Sequence, residues 1–265
     1  MCRFALVPLV ALTLLHPRAG LSQNPPRTLV AVLAHPDDET PIGPILVRYA
    51  REGVQVHLVI ATDGAEGASN TTIPRGPELA KARAEEARCS AAALGATAPI
   101  LLGFPDSKLG DFLGDQSLLF RLTQRVAEEL ARLHPDAVIT WGPDGGYGHP
   151  DHRMVSNIVT QLMRAGAPGV PERLFYMSLP AEMIKAAFPE RGAPPLLIPQ
   201  DKYFTMRVSF TPEDLKAAER SMACHQTQFN AAMLQRATES TGRILNGVIA
   251  LVPASPGAPG TDLFR

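Results

Sequence analysis

The chain has 265 residues, a formal net charge of −1 and 45% hydrophobic residues. This is the balance of a globular protein with room for a full-sized core. Its lysines and arginines are scattered without a basic cluster, which argues against nucleic acid as a partner and against broad attraction to a membrane surface.

Met1-Cys2-Arg3 carries one positive charge, and Phe4 to Leu15 is an apolar run broken only by Pro8 and Thr13. A membrane span needs roughly 20 apolar residues. This run is shorter and fits the core of a signal peptide, with Arg18-Ala19-Gly20-Leu21-Ser22-Gln23 as its small-residue exit. We therefore expect residues 1–22 to be a cleaved leader. Residues 23–265 are expected to form a single secreted or periplasmic domain with no transmembrane segment. Cys2 leaves with the leader. Cys89 and Cys224 can pair in an oxidising compartment or stay as buried thiols.

Thr28 to Leu33 is a branched aliphatic run that reads as a buried parallel strand. It leads into Ala34-His35-Pro36-Asp37-Asp38-Glu39. Three adjacent carboxylates repel one another and call for solvent, a helix N-terminus or a cation. Thr40 to Gly53 follows as a crossover helix, Val54 to Ala61 as a second strand, and Pro77 to Leu94 as a helix stopped by Gly95. Pro99 to Gly103 is a third strand, Gln116 to Leu133 a further helix, and Ala137 to Trp141 a fourth strand.

A glycine-rich loop, Gly142 to His152, then carries His149 and His152 into the next helix. Arg173 to Ser178 and Tyr203 to Phe210 read as strands, separated by a proline-broken connection from Phe188 to Pro199. Thr211-Pro212-Glu213 opens a last firm helix through Cys224, and the Pro-, Gly- and Ala-rich tail from about residue 253 is expected to be poorly ordered. Alternating strands and helices predict an α/β fold: a Rossmann-like, doubly wound, mostly parallel sheet with helices on both faces.

A dinucleotide site would need a glycine-rich turn after the first strand, where this chain places carboxylates that repel phosphate. A metal site suits the residues better. His35 and Asp38 can bind one ion from a single loop, and His149 and His152 can share one side of a helix start. Two imidazoles and one carboxylate form a hydrolytic zinc set with an open position for water. His134-Pro135-Asp136 repeats the local pattern without such company and reads as a structural turn.

The AHPDDE motif after the first strand and GGYGHPDH after a later one resemble the PIG-L/LmbE family of zinc-dependent de-N-acetylases. That family includes enzymes acting on N-acetylglucosaminyl phosphatidylinositol and N-acetylglucosaminyl inositol. The likeness runs from about Thr28 to Cys224-His225-Gln226-Thr227-Gln228. It implies His35, Asp38 and His152 as metal ligands and Asp37 as general base for a metal-activated water. It further implies His149 as oxyanion stabiliser, Tyr147 as a mobile residue polarising the amide carbonyl, and Arg83 and Asp106 as substrate contacts. Glu39 and Asp151 are left as capping or ligand-orienting groups, and His225 as either a core histidine or a pocket wall.

The expected function is removal of an N-acetyl group from an N-acetylglucosamine-type sugar, glycan or glycolipid, with zinc, ferrous iron or another divalent transition metal. Two other readings stand beside it: an amidase on larger N-acyl or thiol conjugates, and a non-catalytic carbohydrate-binding protein. Oligomeric state is not legible.

Overall fold

In the computed structural model of the chain, residues 25–111, 116–179, 182, 199–257 and 259–265 are described. The expected leader, and the 188–199 connection except for Pro199, lie outside the described residues.

Strand β1 (Thr28–Leu33) decides the architecture. Leu29, Ala31 and Leu33 enter one core, while Val30 and Val32 enter another on the opposite face, and none of the five is exposed. A strand buried on both sides needs no polar alternation, which is why its sequence is a continuous aliphatic run. Around it lie β2 (Gln55–Thr62), β3 (Ile100–Phe104), β4 (Ala137–Trp141), β5 (Leu174–Met177), β6 (Met206–Ser209) and β7 (Val248–Pro253). The sheet order is β3-β2-β1-β4-β5-β7-β6. The first five are parallel neighbours, and β7 runs antiparallel to both β5 and β6. Strand order reverses between β1 and β4, so a crevice opens at their carboxyl ends, the usual ligand position in such sheets.

The helices are α1 (Gly43–Arg51), α2 (Pro77–Leu94), α3 (Gln116–Leu133), α4 (Pro150–Arg164), α5 (Pro212–Met222) and α6 (Ala231–Leu245). The expected first crossover helix is split: a 3-10 turn, Thr40–Ile42, precedes α1. Helix α5 starts on a capping box in which Thr211 and Asp214 each accept from the other's backbone N–H. Among the described residues no helix is long and apolar enough to cross a membrane.

The carboxyl-terminal third departs from expectation. Helix α6 and strand β7 lie beyond the helix taken as the last firm one. The tail is also packed. Gly260 bridges to Met206, the Leu263 N–H donates to the Tyr49 hydroxyl at 3.0 Å, and Leu263 and Phe264 join the core. Composition hid this because two apolar side chains at the very end anchor a segment otherwise rich in turn formers. Cys89 and Cys224 are bonded, with Cα atoms 5.7 Å apart, tying α2 to the end of α5.

Candidate metal and catalytic site

The β1–β4 register, Val32 against Thr140, sets the loop after β1 beside Trp141. Thr140 Oγ1 donates to the Val32 carbonyl and Thr62 Oγ1 to the Ala34 carbonyl, both at 2.8 Å, which pins three strand ends together. From this edge His35, Asp38 and His152 converge, all three buried.

His35 Nδ1 lies 3.1 Å from His152 Nε2, and Asp38 Oδ1 lies 3.1 Å from His152 Nε2 and 3.7 Å from His35 Nδ1. Tetrahedral zinc with ligands at about 2.0–2.2 Å spaces its donor atoms about 3.3–3.6 Å apart, so the triangle has the size of a coordination face. The partners of the far ring atoms assign the tautomers. His152 Nδ1 faces the Gly145 carbonyl at 3.1 Å and must donate to it. His35 Nε2 faces Asp106 Oδ1 at 3.2 Å and Asp151 Oδ2 at 3.3 Å and must donate there. In neutral rings both inward nitrogens then carry lone pairs, aimed at each other and at a carboxylate.

Such an arrangement calls for a cation. Burial alone would lower the His35 pKa, but Asp106, Asp151 and Asp38 outweigh it and raise it well above the ordinary value. Burial would likewise raise Asp38, yet the two histidines hold its carboxyl well below the usual range. Asp38 Oδ2 accepts from Ala34 N–H and His35 N–H at 2.9 Å and from Trp141 Nε1–H at 2.8 Å, leaving Oδ1 to point inward. The donor chemistry therefore fits a divalent transition metal.

Asp37 and Asp38, adjacent in sequence, face different ways. Asp37 is 22% exposed, against 6% for Asp38. Its φ of 109° is strained for a non-glycine residue. Burial raises its pKa to about 6, with Arg83 opposing. His149 caps α4: its Nδ1 accepts from Asp151 N–H at 3.2 Å, which leaves Nε2–H as a donor in the neutral ring. Burial, reinforced by the positive character of His35 and His152, lowers its pKa to about 4.

The Tyr147 ring stands edge-on to His149 and His152, at 5.9 and 5.3 Å between centroids. Its neighbour Gly146 has φ 71°, and a Cβ there would lie 2.6 Å from the Trp141 ring. That ring stacks on His152 at 4.2 Å.

The structure brings His35, Asp38, His152, Asp37, His149 and Tyr147 together, and against Asp37 and His35 it sets Arg83 and Asp106, the residues read as substrate contacts. Both are buried and committed to protein partners. Arg83 grips the Pro36 carbonyl, the Gly64 carbonyl at 3.1 Å and Asp37 Oδ1 at 3.0 Å. A Cβ on Gly67 would fall 2.1 Å from its Nη1. Asp106 accepts from His35 and, at 2.9 Å, from Glu66 N–H. Both side chains thus bridge distant loops to Asp37 and His35, with Arg83 Nε left buried and without a hydrogen-bond partner among the described residues.

Of four further contributors, Trp141 has no reading in the sequence, while Asp151 and Glu39 stand between capping and orienting a histidine, and His225 between core and pocket wall. Trp141 is the chain's single tryptophan and stands at the end of a strand that feeds the histidine loop, a signal that could have found it. Asp151, inside the same loop motif, accepts from Ser107 N–H at 2.8 Å and Leu109 N–H at 3.0 Å and so ties the loop after β3 to His35. Glu39 and His225 meet at 2.6 Å in the core, a contact that no local pattern announces.

Comparison with known proteins comes to the same place. The family described as GlcNAc-PI de-N-acetylase, PIG-L, matches residues 30–163. A 1D-myo-inositol 2-acetamido-2-deoxy-alpha-D-glucopyranoside deacetylase of Corynebacterium urealyticum is 30% identical over 238 residues, covering 77% of this chain and 71% of the relative. One of the same description from Actinosynnema mirum is 32% identical over 235 residues, covering 77% and 81%. Among solved structures, the N,N'-diacetylchitobiose deacetylase of Pyrococcus horikoshii superposes with a TM-score of 0.61 over 86% of this chain and 84% of its own. At 20% identity that likeness is one of fold.

Proposed function

The chain belongs to the GlcNAc-PI de-N-acetylase (PIG-L) family, and we propose that it hydrolyses the acetamide of an N-acetylglucosamine-type sugar or glycoconjugate with the help of a zinc ion. The observation that carries the reading is the inward triangle of His35 Nδ1, Asp38 Oδ1 and His152 Nε2 beside the more exposed carboxylate of Asp37. Those three atoms would hold the metal, whose Lewis acidity polarises the acetamide carbonyl and makes a water more acidic.

The chain's own groups do the rest. Asp37, with its pKa near 6, is ionised at neutral pH and accepts a proton from the attacking water. The same carboxyl then returns the proton to the leaving amine. Arg83 keeps Asp37 oriented from behind. His149, neutral and carrying its proton on Nε2, donates to the oxygen that becomes negative as the carbonyl carbon turns tetrahedral. Tyr147 stands next to both histidines on a loop flanked by Gly146 and Gly148, whose positive φ values give it backbone freedom.

The leader read at residues 1–22 and the Cys89–Cys224 bond support export to an oxidising compartment. Mass spectrometry of the mature N-terminus checks cleavage. The catalytic reading is tested by acetate release from a panel of N-acetyl amino sugars, with Asp37→Asn expected to keep its metal and lose about 10²–10⁴-fold in kcat. Full turnover in Asp37→Asn would remove the assigned base. Turnover only of bulkier amides would move the enzyme to the amidase class.

A further inference from the structure

Glu39 is fully buried, yet it accepts four hydrogen bonds, three on its side chain and one on its backbone carbonyl. Its Oε2 accepts from Asp37 N–H at 3.2 Å. Its Oε1 accepts from His225 Nε2 at 2.6 Å and from the Ser90 hydroxyl. The 3-10 turn closes with Ile42 N–H on the Glu39 carbonyl at 3.1 Å. Ser90 in turn accepts from the Ser221 hydroxyl at 2.7 Å. Glu39, Ser90 and His225 are 0% exposed and Ser221 is 1% exposed. His225 Nδ1 is buried without a hydrogen-bond partner, so among the described residues the ring is tied through Nε2 alone.

Burying a carboxylate this deeply is costly, and this one is spent on the amide of the most strained residue of the site. Asp37 needs holding: its φ of 109° persists only where surrounding contacts over-determine it. Arg83 secures the side chain and the preceding carbonyl; Glu39 secures the amide. The partners that hold Glu39 come from α2 and from the segment after α5. Cys89 and Cys224, each one residue before Ser90 and His225, bond those two segments together.

We infer that Glu39 and His225 are a positioning pair that sets the backbone of Asp37 and thereby aims the base. The inference rests on the proposed role of Asp37. It predicts a specific signature: kcat falls while KM and bound metal do not change, because the pair's side-chain hydrogen bonds go to the Asp37 amide, to Ser90 and to each other. In His225→Phe, and in Glu39→Gln should the first variant fail to fold, kcat should drop about 10–100-fold, the range for outer partners of a catalytic group. His225→Gln, whose amide can place an N–H near the position of Nε2, should recover most of the loss.

A second readout needs no turnover. In the metal-free protein, amide exchange of the peptide spanning 34–40 should quicken in His225→Phe and stay slow in His225→Gln. Wild-type kcat in a folded His225→Phe, a kcat loss that tracks metal loss, or unchanged exchange in that peptide would overturn the inference. If the wild-type chain releases no acetate from any N-acetyl amino sugar, the deacetylase reading fails, and the exchange measurement alone still decides whether the pair holds Asp37.

Discussion

The tripeptide His-Pro-Asp occurs at 35–37, 134–136 and 149–151, and its two uses lie at opposite edges of one sheet. At the carboxyl edge, the first and third copies supply His35, Asp37, His149 and Asp151, to which the proposed function gives a ligand, the base, the oxyanion donor and the carboxylate that orients the ligand. At the amino edge, His134 ends α3 with φ 46° and its N–H on the Leu130 carbonyl, and Asp136 accepts from Thr28 N–H at 2.7 Å. That copy stitches β1 to β4. The lesson is that the motif has no intrinsic role. At the carboxyl edge several loops converge and crowd their charges; at the amino edge a single turn satisfies its own backbone.

The sharpest test sets the two histidines against each other. His35→Ala should lose the metal and about 10³-fold or more in kcat, since several kcal/mol of transition-state stabilisation go with it. His134→Asn, which tolerates the same left-handed backbone, should leave kcat within about two-fold. A comparable loss in both would break the distinction between the edges. Rigidity of the carboxyl edge is next. Cys89→Ser combined with Cys224→Ser should lower stability by about 2–4 kcal/mol in denaturant unfolding. On the positioning argument it should also lower kcat.

The aspartates offer a subtler contrast. Asp151→Asn should weaken metal binding about 10–100-fold, as loss of a ligand's hydrogen-bonded partner does, measured by competition with a chelator. Asp136→Ala should cost about 1 kcal/mol of stability and leave metal affinity alone.

The smallest effect belongs to the end of α1, on the amino side, where Arg51 donates to Asp214 at 3.0 and 3.1 Å. Burial would raise the Asp214 carboxyl, but Arg51 and Thr211 hold it below its ordinary value. Its folded pKa is thus lower than its unfolded value of about 3.9. Its stabilisation is present above that pH and lost as pH falls through the folded pKa. Thermal unfolding of wild type and Asp214→Asn should therefore differ by about 1 kcal/mol near neutrality and converge only below about pH 4. A gap that persists at low pH would assign the effect to packing instead.

Much of this was legible in local sequence. β1 and β4 declare themselves as aliphatic runs because both their faces are buried. The two histidine loops declare themselves because a metal face needs particular atoms at short spacing. The inward placement of Arg83 has no local signal, since only the close approach of Gly64 and Gly67 makes room for its guanidinium inside. The ordered tail escaped notice because Leu263 and Phe264 meet Tyr49 of α1, and Gly260 meets Met206 of β6, rather than partners nearby in the chain.

By itself, then, the sequence determined the alternating α/β order and the two histidine loops whose side chains meet at the sheet's carboxyl edge. These depend on residues within a loop or a turn of one another, where spacing is geometry. Tertiary structure alone decided that Arg83 meets Asp37 and Asp106 meets His35, that Cys89 bonds Cys224, and that Glu39 reaches His225 across 186 positions. Such contacts join segments whose separation in the chain carries no periodic signal. They exist because packing on one sheet face brings α2, α5 and the loop after β1 into one buried volume.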